Sequence, residues 1–252
     1  AVLALLGVGP FVAWKSASAR GVAARLRAPA LVSVLAAASA LLVWRTSAAT
    51  GAALSLALWV LLTTFTHVWQ RLAMAEGALA RRLRRQPAGY WGMIAAHAGI
   101  AVFTLGVALV KHGESAHDLR MQVGDTRAAG AHQLRFAALE RVDGPNYVAA
   151  RATFEVVDAH GQVTLLHPEK RYYPVQKMPM TEASIERGFT RDLYLALGEA
   201  GKDGGWTVRI QNKPFMGWIW GGCLLIGFGG LLAASDRRYR QHLQHRRHAL
   251  HM

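Results

Sequence analysis

The sequence predicts a membrane α-helical bundle, with four full spans and one truncated span, that carries an inserted small all-β domain on the outer side of the membrane. Three observations predict it. Hydrophobic residues make up 52% of the 252 residues, yet the formal net charge is +14. Those two values fit together when long apolar spans alternate with short basic loops. Several uncharged stretches also approach the roughly 20 residues that a helix needs to cross a bilayer. Finally, one long segment, 111–213, is almost neutral, with 14 basic and 13 acidic residues, and breaks into short strand-like runs.

The first element, 1–14, is too short to cross alone. It opens Ala1-Val2-Leu3, inside an apolar run, without an initiator Met or the basic start and cleavage site of a signal peptide. We therefore expect a C-terminal piece of a longer protein. Full spans are expected at 28–44, 51–69, 92–110 and 214–234. They must be helical, because lipid offers the backbone no hydrogen-bond partners.

Charge sets the expected orientation. Lys15, Arg20, Arg25 and Arg27 precede the first full span. Arg71, Arg81, Arg82, Arg84 and Arg85 separate the second from the third, and Arg237, Arg238, Arg240, Arg246 and Arg247 follow the last. If the spans alternate, all these clusters fall on one side, which the positive-inside rule makes cytoplasmic. Residues 1–110 are then transmembrane helices with cytoplasmic basic loops, 111–213 is an outer domain, 214–234 is the last span and 235–252 is a basic cytoplasmic tail. Nucleic acid is excluded as the reason for the charge, because the cations flank apolar spans rather than covering one folded face.

The outer segment reads as a sandwich or barrel of about six strands, with candidates at 119–123, 133–140, 148–157, 162–166, 193–197 and 206–211. The lone cysteine, Cys223, lies in the last span, so intrachain disulfides and CxxC chemistry are excluded. Glu182, Glu186, Asp192 and Glu199 cluster in sequence with Arg187 and Arg191, which suggests ion pairs on a helix surface. The run Pro168–Tyr173 is basic and aromatic. It reads either as a holder of a carboxylate or as a solvated edge strand. Trp206, Trp218 and Trp220 with Gly217, Gly221 and Gly222 suggest interface anchoring and a GxxxG helix contact.

His97 is the most informative residue. It lies about 9 Å along its helix from Trp91, inside the apolar layer, where an ionisable group needs protein around it. Small residues surround it: Gly92, Ala95, Ala96, Ala98 and Gly99. They leave room for a neighbouring helix or a flat cofactor. A neutral imidazole there either ligates haem iron or another metal, or bonds a carbonyl of a neighbouring helix. His67 sits near the end of its span beside Trp69, where an amphipathic ring is comfortable; a His67–His97 pair is geometrically conceivable but is not preferred. His112, His117, His132, His160 and His167 have no ligand-like spacing and read as solvated. His242, His245, His248 and His251 belong to the basic tail.

Several stretches in order resemble the C-terminal third of the cytochrome c maturation protein F family, CcmF. They are Gly9-Pro10-Phe11 to Lys15, Tyr90-Trp91-Gly92-Met93 with Ala96-His97-Ala98-Gly99, and Gly144-Pro145-Asn146-Tyr147. The Pro168–Tyr173 run follows, then Met180-Thr181-Glu182-Ala183, Arg191-Asp192-Leu193-Tyr194 through Gly198-Glu199, Trp218-Ile219-Trp220-Gly221-Gly222 and Asp236-Arg237-Arg238-Tyr239-Arg240. The resemblance implies part of a haem lyase of the bacterial inner membrane. Such a protein takes haem from a periplasmic haem chaperone and, with thiol-reducing assembly subunits, attaches it to the CxxCH cysteines of apocytochrome c. It also implies a membrane b-type haem with His97 as one axial ligand of the iron and the other ligand upstream of residue 1. A tryptophan-rich haem-handling region and two periplasmic histidines are expected upstream too, so this stretch alone is not expected to be active. The alternative is a non-catalytic membrane scaffold whose outer β domain docks assembly partners.

Overall fold

The computed structural model describes residues 1–12, 18–74, 76–130 and 132–236. Lys15 and the tail arginines and histidines lie outside the described residues. The chain divides into two compact units, Ala1–His112 with the residues from Trp218 onward, and Gly113–Gly217.

The helical unit holds four helices long and apolar enough to cross a membrane: α2 (Ala19–Leu42), α3 (Ala48–Ala73), α5 (Ala88–Gly113) and α6 (Met216–Ala234). The short α1 (Val2–Val8) runs into a 3-10 turn at Gly9–Phe11, and α4 (Leu79–Arg84) lies between α3 and α5. The helices extend beyond the apolar runs because their ends are capped. Ser18 accepts from Gly21 N at 3.1 Å and Ser47 from Thr50 N at 3.2 Å. Arg20, Arg25 and Arg27 therefore sit on the first turns of α2 rather than in a preceding loop.

Helices α5 and α6 meet through glycine. Gly92, Gly99 and Gly106 are seven residues apart on α5, as are Gly222 and Gly229 on α6. A Cβ on Gly99 would stand 2.7 Å from Ile226 N and 2.8 Å from Gly222 O, and one on Gly229 would stand 2.6 Å from Gly92 O. The two backbones thus touch along antiparallel axes. At one end Asp236 accepts from Gly89 N at 2.8 Å, which puts a carboxylate on the positive N-terminus of α5. The expected GxxxG contact through Gly217 and Gly221 is not what forms. A Cβ on Gly221 would meet nothing within 4 Å, so the contact follows a seven-residue period instead.

The second unit is a sandwich of ten strands rather than about six. One antiparallel sheet has the order β1 (Ser115–Met121), β10 (Trp206–Pro214), β9 (Arg191–Ala200), β8 (Ser184–Arg187). The other runs β2 (Thr126–Ala129), β3 (His132–Asp143), β4 (Val148–Val157), β6 (Glu169–Tyr173), β7 (Met178–Glu182), with β5 (Val163–Leu166) paired to the far half of β4. Alternate residues of both sheets meet in one core. Phe136 and Phe154 stack at 4.5 Å between ring centroids, surrounded by Met121, Leu134, Leu195 and Leu197. Each such side chain contributes about 1.5–3 kcal/mol on burial.

Three expectations are corrected by this sheet. Glu182, Glu186, Asp192 and Glu199 lie on strands β7, β8 and β9, so no helix surface carries them; their spacing was a coincidence of alternating charge. The Pro168–Tyr173 run is not an edge, because β6 lies between β4 and β7. Trp206 belongs to β10 and packs against the sandwich core, so it does not anchor the last span.

His132 is also corrected, since it is buried at 5% exposure rather than solvated, and its Nε2 has no partner. Burial, then the charge of Arg191, hold its pKa below the ordinary value, against smaller opposing effects of Glu186 and Asp158. The unfolded chain therefore binds a proton that the folded domain resists. Stability contributed by the neutral ring is complete above about pH 6.5 and is lost as pH falls toward the depressed folded value. The expected slope is at most about 1.4 kcal/mol per pH unit. Thermal unfolding between pH 7.5 and 5.5 should show it, and His132→Phe should flatten that acid-side fall. An unchanged slope in the variant would put the pH dependence elsewhere.

Candidate functional site

His97 lies on α5, nine residues past its first residue, so about 13.5 Å along the axis at 1.5 Å per residue. Its Nδ1 is 2.9 Å from Met93 O, one turn earlier on the same helix. The neighbouring-helix carbonyl expected as an alternative partner is thus replaced by a carbonyl of its own helix. A carbonyl oxygen only accepts, so this bond places the proton on Nδ1. Nε2 is left with its lone pair and without a protein partner among the described residues. A helix-backbone bond to one ring nitrogen is how proteins fix the tautomer and ring orientation of a ligating imidazole.

Of the two uses expected for the small residues around His97, the glycines serve the approach of a neighbouring helix and not that of a flat cofactor. Gly92 and Gly99 face α6, where Gly229 and Gly222 fill the space they leave. At 100° per residue, His97 stands about 140° from Gly92 and about 160° from Gly99. It looks away from the glycine seam and lines an apolar cleft of about 410 Å³ with Val2, Leu5, Leu6, Pro10 and Met93. The room for a flat ligand is therefore supplied by α1 and the 3-10 turn. That volume lies within the range of roughly 300–1,000 Å³ common for ligand pockets.

His67, on α3, approaches the same turn from the other side. Its ring stands edge-on to Phe11 at 5.4 Å and tilted to Tyr90 at 5.8 Å. The Arg71 guanidinium lies 4.6 Å from the Tyr90 ring centroid and donates to Gln86 Oε1 at 2.6 Å. A second cleft of about 460 Å³ opens here, lined by Pro10, Phe11, Arg25, His67, Gln70 and Arg71. Pro10 is common to both clefts. Sequence reasoning missed this cleft. Its signal was available, however: Arg25 and Arg71 both sit at the basic ends of their helices.

The donor chemistry fits a porphyrin iron. Among the described residues no three His, Cys, Asp or Glu side chains group into a metal site. A lone imidazole suits a metal whose equatorial ligands come from a macrocycle, with apolar walls to receive that macrocycle.

In the sandwich, the basic and aromatic run forms a closed charge network. Glu169, 6% exposed, accepts from Arg151 Nε at 2.6 Å and from Arg171 Nε at 2.8 Å. Glu140 and Glu182 complete it at 3.6 and 3.3 Å. Burial pushes the Glu169 carboxyl up, but Arg171 and Arg151 outweigh it and hold the group below the ordinary range. The Arg171 guanidinium also covers the Tyr147 ring at 4.5 Å. These cations are met inside the sheet, so the run is neither an open carboxylate holder nor a solvated edge. His160 lies in a turn, and His167 contacts Thr153 at 3.2 Å on the surface; His117 is exposed on β1, and His112 stacks on Trp44 at 6.3 Å. None is brought to the His97 cleft.

Residues 113–214 match the family described as the CcmF C-terminal beta-sandwich. The chain is 43% identical over 242 residues to the cytochrome c-type biogenesis protein ccl1 of Rhodobacter capsulatus, covering 94% of this chain and 36% of that protein. It is 43% identical over 244 residues to the cytochrome c-type biogenesis protein CcmF of Pseudomonas aeruginosa, covering 95% and 36%. For the CcmF of Escherichia coli the identity is 40% over 242 residues, covering 94% and 36%. A solved structure of a cytochrome c haem lyase CcmF shares the fold with a TM-score of 0.69 at 19% identity, over 93% of this chain and 38% of that one. The chain thus spans a little over a third of the length of these relatives. With its four apolar helices and inserted sandwich, it is a multi-pass membrane protein of the CcmF family of cytochrome c-type biogenesis proteins, corresponding to the C-terminal part of its members.

Proposed function

We propose that this chain is the part of a cytochrome c haem lyase that ligates a b-type haem in the membrane. In this reading, His97 supplies one axial nitrogen to the iron, and a histidine upstream of residue 1 supplies the other. The bound haem supplies one-electron redox chemistry. The observation that carries the reading is the His97 ring itself, with Nδ1 fixed on Met93 O, Nε2 unpartnered and apolar walls beside it. The bond to Met93 O pre-orients the ring with Nε2 toward the cleft, which favours axial binding without rearrangement of α5.

We infer a wider role from the family resemblance, one that goes beyond the cytochrome c-type biogenesis named for the relatives. The full-length protein belongs in the bacterial inner membrane, where it receives haem from a periplasmic haem chaperone. With thiol-reducing subunits, it delivers that haem to apocytochrome c. The near-neutral sandwich is the periplasmic part, because the basic clusters gather at the opposite ends of the spans. Glu140, Glu169 and Glu182 are each paired with Arg151 or Arg171, and we assign the sandwich a docking role rather than chemistry.

The test is an optical spectrum of the purified full-length protein, oxidised and dithionite-reduced. The expected result is a low-spin b-type haem that acidified organic solvent extracts. A preparation competent in cytochrome c maturation but without extractable haem would overturn the assignment.

A further inference from the structure

We propose that the basic cleft beside His67 seats the two carboxylates of the porphyrin bound at His97, with Arg25 and Arg71 as the cations. This rests on the reading of His97 as an axial ligand and extends it to a second, separately testable set of residues.

Four observations carry it. The two clefts are neighbours, sharing Pro10 between them. Their chemistry differs in the sense that an amphipathic macrocycle requires. The His97 cleft is walled by Val2, Leu5, Leu6 and Met93, whereas the His67 cleft offers Arg25, Gln70 and Arg71. The two cations have no acidic partner among the described residues. Every ion pair whose geometry the structure gives lies in the sandwich, and Arg71 is engaged only by the neutral Gln86 and the Tyr90 face. Two guanidinium groups at the end of an apolar bundle, unmatched by carboxylate, favour an anion strongly, because Arg suits planar carboxylates in geometry and charge. Finally, the position is built rather than incidental. Ser18 caps the helix that carries Arg25, and Arg71 is held in place by Gln86 and Tyr90.

His67 then has a defined place. Its ring rests between Phe11 and Tyr90, and it borders the anion position rather than binding iron. The same cationic chemistry also fits the phosphate of an anionic lipid headgroup, so the experiment must separate the two sources.

In the full-length protein, Arg25→Gln, Arg71→Gln and the double variant are compared with His97→Ala. The readouts are haem retained per protein, affinity for haem and for haem dimethyl ester, midpoint potential, and association of labelled phosphatidylglycerol. Arg25→Lys and Arg71→Lys control for folding, since they keep the charge. The expected result is a loss of haem affinity of about tenfold or more for each cation removed. The midpoint potential should fall as well, because removing positive charge favours the oxidised, more positive centre. The dimethyl ester should bind wild type and double variant alike. If the double variant keeps wild-type haem affinity and potential while His97→Ala loses haem, the proposal is overturned and the axial assignment stands. If only phosphatidylglycerol association falls, the cleft binds lipid and the proposal is likewise overturned. If His97→Ala keeps its haem while the arginine variants lose it, the carboxylate seat stands and the axial assignment falls.

Discussion

Replacing His97 by alanine in the full-length protein is expected to abolish the low-spin b-type haem spectrum while the protein still inserts in the membrane. The structural loss is small. It removes one side-chain hydrogen bond, from Nδ1 to Met93 O, worth about 0.5–1.5 kcal/mol, on a half-buried residue turned away from the glycine seam. The chemical loss is large, because the one imidazole that lines the apolar cleft among the described residues disappears. Cytochrome c maturation should fall with the haem. Added imidazole should partly restore the spectrum, since truncation leaves a void of the ring's own shape. Retention of an unchanged reduced spectrum together with normal maturation would make His97 a packed structural residue.

Much of this was legible in the sequence, and the parts that were not have identifiable causes. The four spans follow from apolar length alone, which the bilayer fixes. Their ends did not, because capping by Ser18 carries α2 back through Arg20, Arg25 and Arg27, and capping by Ser47 starts α3 ahead of its apolar run. The alternation in 148–157 located β4 correctly. Strands β7 and β8 were missed, and β6 was read only as a possible edge. They are four or five residues long, and β6 carries Glu169, Lys170 and Arg171, whose burial depends on partners from β4 and β7 that no local pattern reveals. His132 was misjudged for the same reason, since its neighbours come from a sheet register. At the site, His97 was legible as a polar residue within an apolar span. The role of the glycines around it was legible only in part, since a neighbouring helix and a flat cofactor were both open. Proximity in sequence placed them beside the imidazole, whereas helical rotation turns them toward α6 and leaves the cleft to α1.

Substituting leucine at Gly99 is expected to be far more damaging than the same substitution at Gly221, and the contrast tests the α5–α6 seam directly. At Gly99 a Cβ would stand 2.7 Å from Ile226 N and 2.8 Å from Gly222 O. Both are backbone atoms of a continuous helix, so no rotamer change relieves the clash, and α6 must move as a body. At Gly221 a Cβ would meet nothing within 4 Å, so leucine there adds apolar surface to an open face. Helix association in lipid depends on such close backbone approach, since burial of apolar surface supplies little driving force between helices already in hydrocarbon. Overpacking of this kind costs about 3 kcal/mol or more. In detergent, that corresponds to a fall of roughly 2 °C or more in the unfolding midpoint of the full-length protein, because the entropy of unfolding grows with chain length. Because Gly99 is two residues from His97, haem content in Gly99→Leu should fall with the midpoint, whereas Gly221→Leu should keep both near wild type. Equal midpoints for the two variants would show that the seam does not carry the packing. A large loss at Gly221 alone would restore the GxxxG pair of Gly217 and Gly221 as the true contact.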